Sequence, residues 1–116
     1  MTVIPQVEKV ISGFHGAGKP LAFCCIAPIL AAKVLGDKKP TLTLGSTGAA
    51  EQWPYQGAIE VAKGFGANME EKSVSEVCSD EKNKIVTTPA YMYEGKFHEI
   101  QDGVGNMITE LLKLVK

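Results

Sequence analysis

The run Leu21-Ala-Phe-Cys-Cys-Ile-Ala-Pro28 constrains this chain more than any other stretch. Leu21 to Cys25 is apolar at every position and is bounded by Gly18 and Pro20 before it and Pro28 after it. It has neither the alternation of a half-solvated strand nor the length of a helix. Such a run suits a strand buried on both faces, the kind that parallel sheets cover with helices. The residues from Ile26 to Leu35 then read as a helix ending at Gly36, so the segment is a strand, an elbow and a helix with a thiol at the junction. In open α/β sheets ligands gather at the carboxyl ends of strands, and a helix N-terminus there favours the thiolate. Cys25 is the residue best placed to use both effects. The local pattern supports equally well the reading that Cys24 and Cys25 are ordinary small core residues, since free cysteine is among the most buried residue types.

A chain of 116 residues has room for one domain, so residues 1–116 are read as a single unit near the lower limit for covering both faces of a parallel sheet. Its 45% hydrophobic and 22% charged content is that of a chain that packs a core. A formal net charge of -1 supplies no basic field, which argues against nucleic acid or an anionic membrane surface as partner. Three cysteines, two of them adjacent, do not make a disulfide framework, and a reducing compartment fits better. The longest apolar run, Leu21 to Leu35, is broken by Pro28 and Lys33 and is too short to span a bilayer. No signal-like leader precedes Val3, so no targeting segment is expected in this chain. Neither Cys-x-x-Cys nor His-x-x-x-His spacing occurs, and Gly45-Ser-Thr-Gly48 lacks the Gly-Lys-Ser/Thr ending of a phosphate loop. No metal and no cofactor are expected.

Along the chain, Pro5 suits a first helical turn, and Val7, Val10, Ile11 and Phe14 make one apolar stripe stopped by Gly16 and Gly18. Thr41 to Leu44 alternates as a short strand does, and is expected to lie beside the Leu21 strand. Gly45 to Pro54 reads as a loop whose Trp53 either covers a site or packs the loop onto the body. Gln56 to Phe65 reads as a helix, and Asn68 to Lys72 and Glu76 to Ser79 as short strands. A turn around Glu81 to Asn83 joins a hairpin to the strand Ile85 to Thr88. The last helix is expected from Phe97 to Val115, with Ile100, Val104, Met107, Ile108, Leu111, Leu112 and Val115 facing inward. Gly103 and Gly105 within it suggest close approach to another backbone.

Two stretches together carry a resemblance. Phe14-His-Gly-Ala-Gly-Lys-Pro20 with Phe23-Cys-Cys-Ile-Ala-Pro28 resembles the cysteine elbow of the enhancing-lycopene-biosynthesis family, the glutamine amidotransferase-like class I proteins that include an animal mitochondrial branch. Trp53-Pro-Tyr55 with Gly57, then Lys82-Asn-Lys-Ile-Val-Thr-Thr-Pro-Ala-Tyr-Met92, resembles the same family in the same order. The resemblance implies an α/β, flavodoxin-like three-layer sandwich, here incomplete. Relatives are about twice as long, and this chain looks like their C-terminal half. The missing half would carry a first strand with an acidic partner for the cysteine and a Gly-rich loop that helps form the oxyanion hole.

By the same resemblance Cys25 is the nucleophile position, and Ile26 N–H, the amide after an elbow nucleophile, is an oxyanion donor. The wider deglycase superfamily suggests a cofactor-free, glyoxalase-like reaction of a cysteine with a small carbonyl metabolite. His15 and His98 read as capping or solvated histidines rather than bases. For the intact relatives the enzyme reading is preferred. For this chain alone the preferred reading is an inactive or non-catalytic module of the same fold, acting in binding or assembly. An uncovered strand edge implies a homo-oligomer or a partner that supplies the missing half. Mitochondrion is implied by resemblance to the animal branch, with cytoplasm as the alternative.

Overall fold

Pro5 opens the first helix, α1 (Pro5–Gly16), of a computed structural model that describes residues 2–115. Gly18, at a φ of 75°, turns the chain into β1 (Leu21–Cys24). Then follow α2 (Pro28–Leu35), β2 (Thr41–Leu42), α3 (Gly57–Gly64), β3 (Asn68–Met69), β4 (Cys78–Asp80), β5 (Ile85–Thr88) and α4 (Phe97–Leu114). Short 3-10 turns occupy Gly36–Lys38 and Ala90–Met92.

The strands form two small sheets. In the first the order is β1-β5-β4, with β1 parallel to β5 and β4 antiparallel to it; the second pairs β2 with β3 in parallel. The β4–β5 hairpin matches the turn expected around Glu81 to Asn83. Asp80 sits at its corner, accepting hydrogen bonds from Asn83 N–H and Nδ2, while Lys84 takes a left-handed φ of 56°. The neighbour of β1 differs from expectation. Thr41 to Leu44 does not lie beside it; only Thr41–Leu42 forms a strand, and its backbone joins the other sheet's flank through side chains. Thr41 N–H donates to Asp80 Oδ2 at 2.8 Å and Thr43 N–H to Thr87 Oγ1 at 3.0 Å. These polar side chains take the place of a continuous ladder.

Strand alternation sorts the core into two. Leu21, Phe23 and Ile85 point into a cluster built on Ile11, Ala31, Ala32, Leu35, Leu42, Ile59 and Ala62, from α1, α2, β2 and α3. Cys24 points the other way, into a smaller cluster with Trp53, Val74, Ala90 and Ile100, where α4 packs on β5 and β1. All four residues of β5 are buried, whereas all four of β1 are only half-buried. The Leu21 strand thus has the uncovered edge expected of it, but its faces are only half-covered, where its apolar run suits burial on both. Among the described residues, no strand pairs with its second edge.

Two apolar stripes are wider than the surface that covers them. On α1, Ile11 is buried but Val10 is 57% exposed and Phe14 half-exposed. On α4, Ile100 and Met107 are buried, whereas Ile108 is exposed and Leu112 is 64% exposed; Val115, just past the helix end, is exposed too, so these three do not face inward. Gly103 meets the backbone as expected, since an added Cβ would lie 2.2 Å from Val74 O; Gly105 does not, having open space around it.

Candidate functional site

At the end of β1 the backbone leaves the ladder in one residue. Cys25 N–H still donates to Thr88 O at 3.2 Å, but Cys25 itself has a φ of 59°, and Ala27 N–H turns back onto Cys24 O at 3.0 Å. α2 then begins at Pro28, two residues later than the helix expected from Ile26, because Cys25 to Ala27 make this turn. The left-handed region is rarely visited by a residue with a Cβ, at a cost of about 1–3 kcal/mol, and such strain clusters where side chains act. Its consequence is that the Cys25 side chain leaves the plane of the sheet and touches both core clusters.

A cavity of about 330 Å³ opens beside it, lined by Cys25, Ile26, Tyr55, Tyr91 and Met92. No charged side chain lines it. Ile26 N–H finds no hydrogen-bond partner among the described residues, which leaves it free to meet an oxygen carried on a carbon bonded to Cys25. The fold thus brings the two site residues expected from the sequence, Cys25 and Ile26, to the wall of one cavity.

Tyr55, Tyr91 and Met92 lie in the later motifs of the resemblance, but nothing in the sequence assigns them to the site. Tyr91 and Met92 follow β5 directly, so their place beside the thiol depends on β5 being the neighbour of β1, which no local pattern announces. A second left-handed residue, Ala90 at a φ of 47°, turns the chain there, and Met92 N–H closes the turn onto Pro89 O at 3.0 Å. Trp53 is 7% exposed and stacks at a tilt on Tyr93, 4.8 Å between centroids. It also covers Gly45, where a Cβ would come within 2.6 Å of the indole. Of its two readings the structure shows the second: it packs its loop onto the body without lining the cavity.

The three thiols differ. Burial, reinforced by the neighbouring Cys25 charge, pushes the Cys24 thiol up. Burial, with Glu70 close by, pushes Cys78 up to about 12. Neither histidine reaches the cavity: His15 donates from Nε2 to Asn83 Oδ1 at 3.3 Å, and His98 lies in the first turn of α4. A larger hollow of about 570 Å³ lies against Thr41, Asn68 and Asp80, but the Asp80 oxygens there are already used by Thr41 and Asn83. Among the described residues no group of three His, Cys, Asp or Glu gathers that could hold a metal ion, and no helix is long and apolar enough to cross a membrane.

No family model matches the chain. Individual proteins do. It is 47% identical over 110 residues to the ES1 protein homolog, mitochondrial, of Rattus norvegicus, covering 94% of this chain and 41% of that protein. It is 47% identical over 109 residues to the human glutamine amidotransferase-like class 1 domain-containing protein 3, mitochondrial, covering 40% of it. Its relatives are glutamine amidotransferase-like class 1 domain proteins. The ES1 protein, mitochondrial, of Danio rerio is 33% identical over 113 residues. The chain spans about two fifths of the length of these relatives. A solved structure, an isoprenoid biosynthesis protein with amidotransferase-like domain from Ehrlichia chaffeensis, superposes with a TM-score of 0.80 at 20% identity, over 98% of this chain and 48% of that one. The flavodoxin-like α/β fold inferred from the sequence is the fold found.

Proposed function

We propose that Cys25 is the nucleophile of a cofactor-free reaction on a small, uncharged carbonyl compound, carried out by the longer proteins to which this chain is similar. The observation that carries this reading is the left-handed backbone at Cys25, which sets a thiol at the end of a parallel strand beside an open, uncharged cavity. A thiolate there adds to an aldehyde carbon. The S–C bond forms, the carbonyl π pair moves to oxygen, and the resulting alkoxide accepts a hydrogen bond from Ile26 N–H. The uncharged side chains that this chain contributes to the cavity wall suit a neutral dicarbonyl. That makes a glyoxalase-like reaction the preferred form.

A second reading rests on what the cavity lacks. No carboxylate or imidazole lines it among the described residues, and the only side-chain donors that do, the Tyr55 and Tyr91 hydroxyls, stand on exposed rings rather than being held toward the thiol. The 116-residue unit alone is therefore an inactive or non-catalytic module of the same fold. The relatives named as mitochondrial proteins support the mitochondrion as its compartment.

Methylglyoxal turnover tests both statements. The chain alone shows none above a Cys25→Ala control, whereas the chain joined to the part of the human relative that it does not match shows turnover that Cys25→Ala abolishes. Robust turnover by the chain alone would refute the second reading. Its absence from the joined protein would refute the first and leave a binding or assembly role.

A further inference from the structure

Two segments from distant parts of the chain each bring a tyrosine to the Cys25 cavity. Tyr55 ends the loop before α3, where its C=O accepts from Ala58 N–H at 3.1 Å, and the loop is pinned by Gln56 Nε2 donating to Gly48 O at 2.8 Å. Tyr91 stands in the 3-10 turn after β5, which Tyr93 N–H closes onto Ala90 O at 3.2 Å. The two segments are also fastened to each other. Trp53, two residues before Tyr55, stacks on Tyr93, two residues after Tyr91, and Glu94 N–H donates to Gln52 O at 2.7 Å. The backbones that carry the two tyrosines are thus held before any ligand arrives, which lowers the ordering cost of binding between them.

Exposure sorts the lining residues into a base and a rim. Met92 is 3% exposed, whereas Tyr55 is 58% and Tyr91 53% exposed, and Ile26 is exposed as well. Exposed apolar side chains gathered around one reactive atom mark a ligand site rather than a solvated surface. Tyrosine suits such a rim because its ring packs on a ligand while its hydroxyl stays wet, and a methionine thioether beneath adapts to an aromatic ring. The cavity, about 330 Å³, is of a size for a ring-bearing ligand and leaves a methyl group few contacts. This chain contributes no carboxylate, ammonium or side-chain amide to the wall, so the hydroxyls of a sugar-derived carbonyl are poorly matched there.

We infer that the Cys25 cavity selects carbonyl compounds that bear an aromatic ring, such as an aryl 2-oxoaldehyde, with Tyr55 and Tyr91 as the specificity-determining residues. This substrate class rests on the reading of Cys25 as nucleophile. The carbonyl carbon lies against the Cys25 sulfur with its oxygen toward Ile26 N–H, and the aryl ring occupies the space between the tyrosines and Met92. Each ring-to-ring contact favours the aryl compound by about two- to tenfold.

The test uses the full chain and two neutral thiol reagents that carry the aryl and the methyl group at the same place, phenacyl bromide and bromoacetone. With either, the Cys25 thiolate attacks the CH2 carbon, an S–C bond forms and bromide leaves with the C–Br pair, the thiol proton having gone to the buffer. Rates at Cys25 are read by peptide mapping and divided by each reagent's rate with glutathione, which removes their intrinsic difference. Expected is a corrected preference of about tenfold or more for phenacyl bromide. Tyr55→Ala with Tyr91→Ala brings the preference close to one without slowing bromoacetone, and Tyr55→Phe with Tyr91→Phe retains it. Both rings are more than half exposed, so their truncation spares the core; should the double alanine variant fail to fold by circular dichroism, each single alanine variant lowers the preference by itself. A wild-type preference near one overturns the inference and leaves Cys25 as nucleophile. So does a preference that the alanine variants keep or that the phenylalanine variants lose. Labelling of Cys25 no faster than Cys78 by both reagents is a separate failure, which removes the nucleophile and the substrate class with it.

Discussion

β1 and β5 are parallel neighbours of equal length, paired from Leu21 with Ile85 to Cys24 with Thr88, yet their compositions and surroundings are inverted. β1, with no hydroxyl side chain, is half-buried along its length; β5, with two threonines, is buried throughout. The threonines are tolerated because each hydroxyl is used: Thr87 Oγ1 accepts from Thr43 N–H and Thr88 Oγ1 donates to Glu76 O. Among the described residues β5 has a strand on each side, while β1 has one neighbour. A strand's composition records the environment it suits, and its neighbours decide whether it has that environment.

The sharpest way to test this contrast is through the thiols. Cys25 stands at the open end of β1, whereas Cys78 pairs with Thr87 on the closed side of β5. With Cys78 pushed up to about 12, its thiolate fraction near pH 8 is about a thousandfold below that of an ordinary cysteine. Iodoacetamide labelling with peptide mapping is expected to modify Cys25 first and Cys78 last. Earlier modification of Cys24 or Cys78 would break the assignment of the open end as the reactive one.

Truncating matched positions measures the same contrast in stability. Ile85→Ala, at a fully buried site, is expected to lower the unfolding free energy in urea by about 2–5 kcal/mol. Leu21→Ala, directly opposite it and half-solvated, should cost about 1 kcal/mol. Equal losses would mean that β1 is as enclosed as β5.

The helix over these strands offers a smaller test. Gly103→Ala drives a Cβ against Val74 O, near Thr88, and should destabilise by about 1–3 kcal/mol. Gly105→Ala, facing open space two residues on, should stabilise by up to about 1 kcal/mol. Thermal melts of the two variants are expected to move in opposite directions.

Asp80, paired with Ile85 on the closed side, gives the smallest effect. Burial opposes its ionisation, but hydrogen bonds from Asn83, Thr41 and Lys82 outweigh burial and hold its carboxyl below the usual range. A depressed folded value means the stabilisation is present above the unfolded pKa, near 3.9, and is lost as pH falls through the folded one. Asp80→Asn should cost about 1 kcal/mol at pH 7. It should also flatten the decline in stability below about pH 4; an unchanged acid limb would show that Asp80 is not the group titrating.

The α/β class, the order of helices and strands, the hairpin before Ile85 and the thiol at a strand-to-helix turn are all written locally in the residues. These follow from local rules: proline and glycine positions, 3.6-residue periodicity, and the apolar run at Leu21. The family resemblance was legible too, because it sits in contiguous motifs. Which strand lies beside β1 is settled by long-range packing. Parallel pairing joins Leu21 to Ile85, far apart in the chain, and leaves no periodic trace in either segment, so neither Thr41's separation from β1 nor the arrival of Tyr91 and Met92 beside Cys25 was readable. The exposure of Val10, Phe14 and Leu112 was hidden for a related reason: an apolar stripe shows which face a helix buries when a partner is present, and says nothing of whether that partner is there.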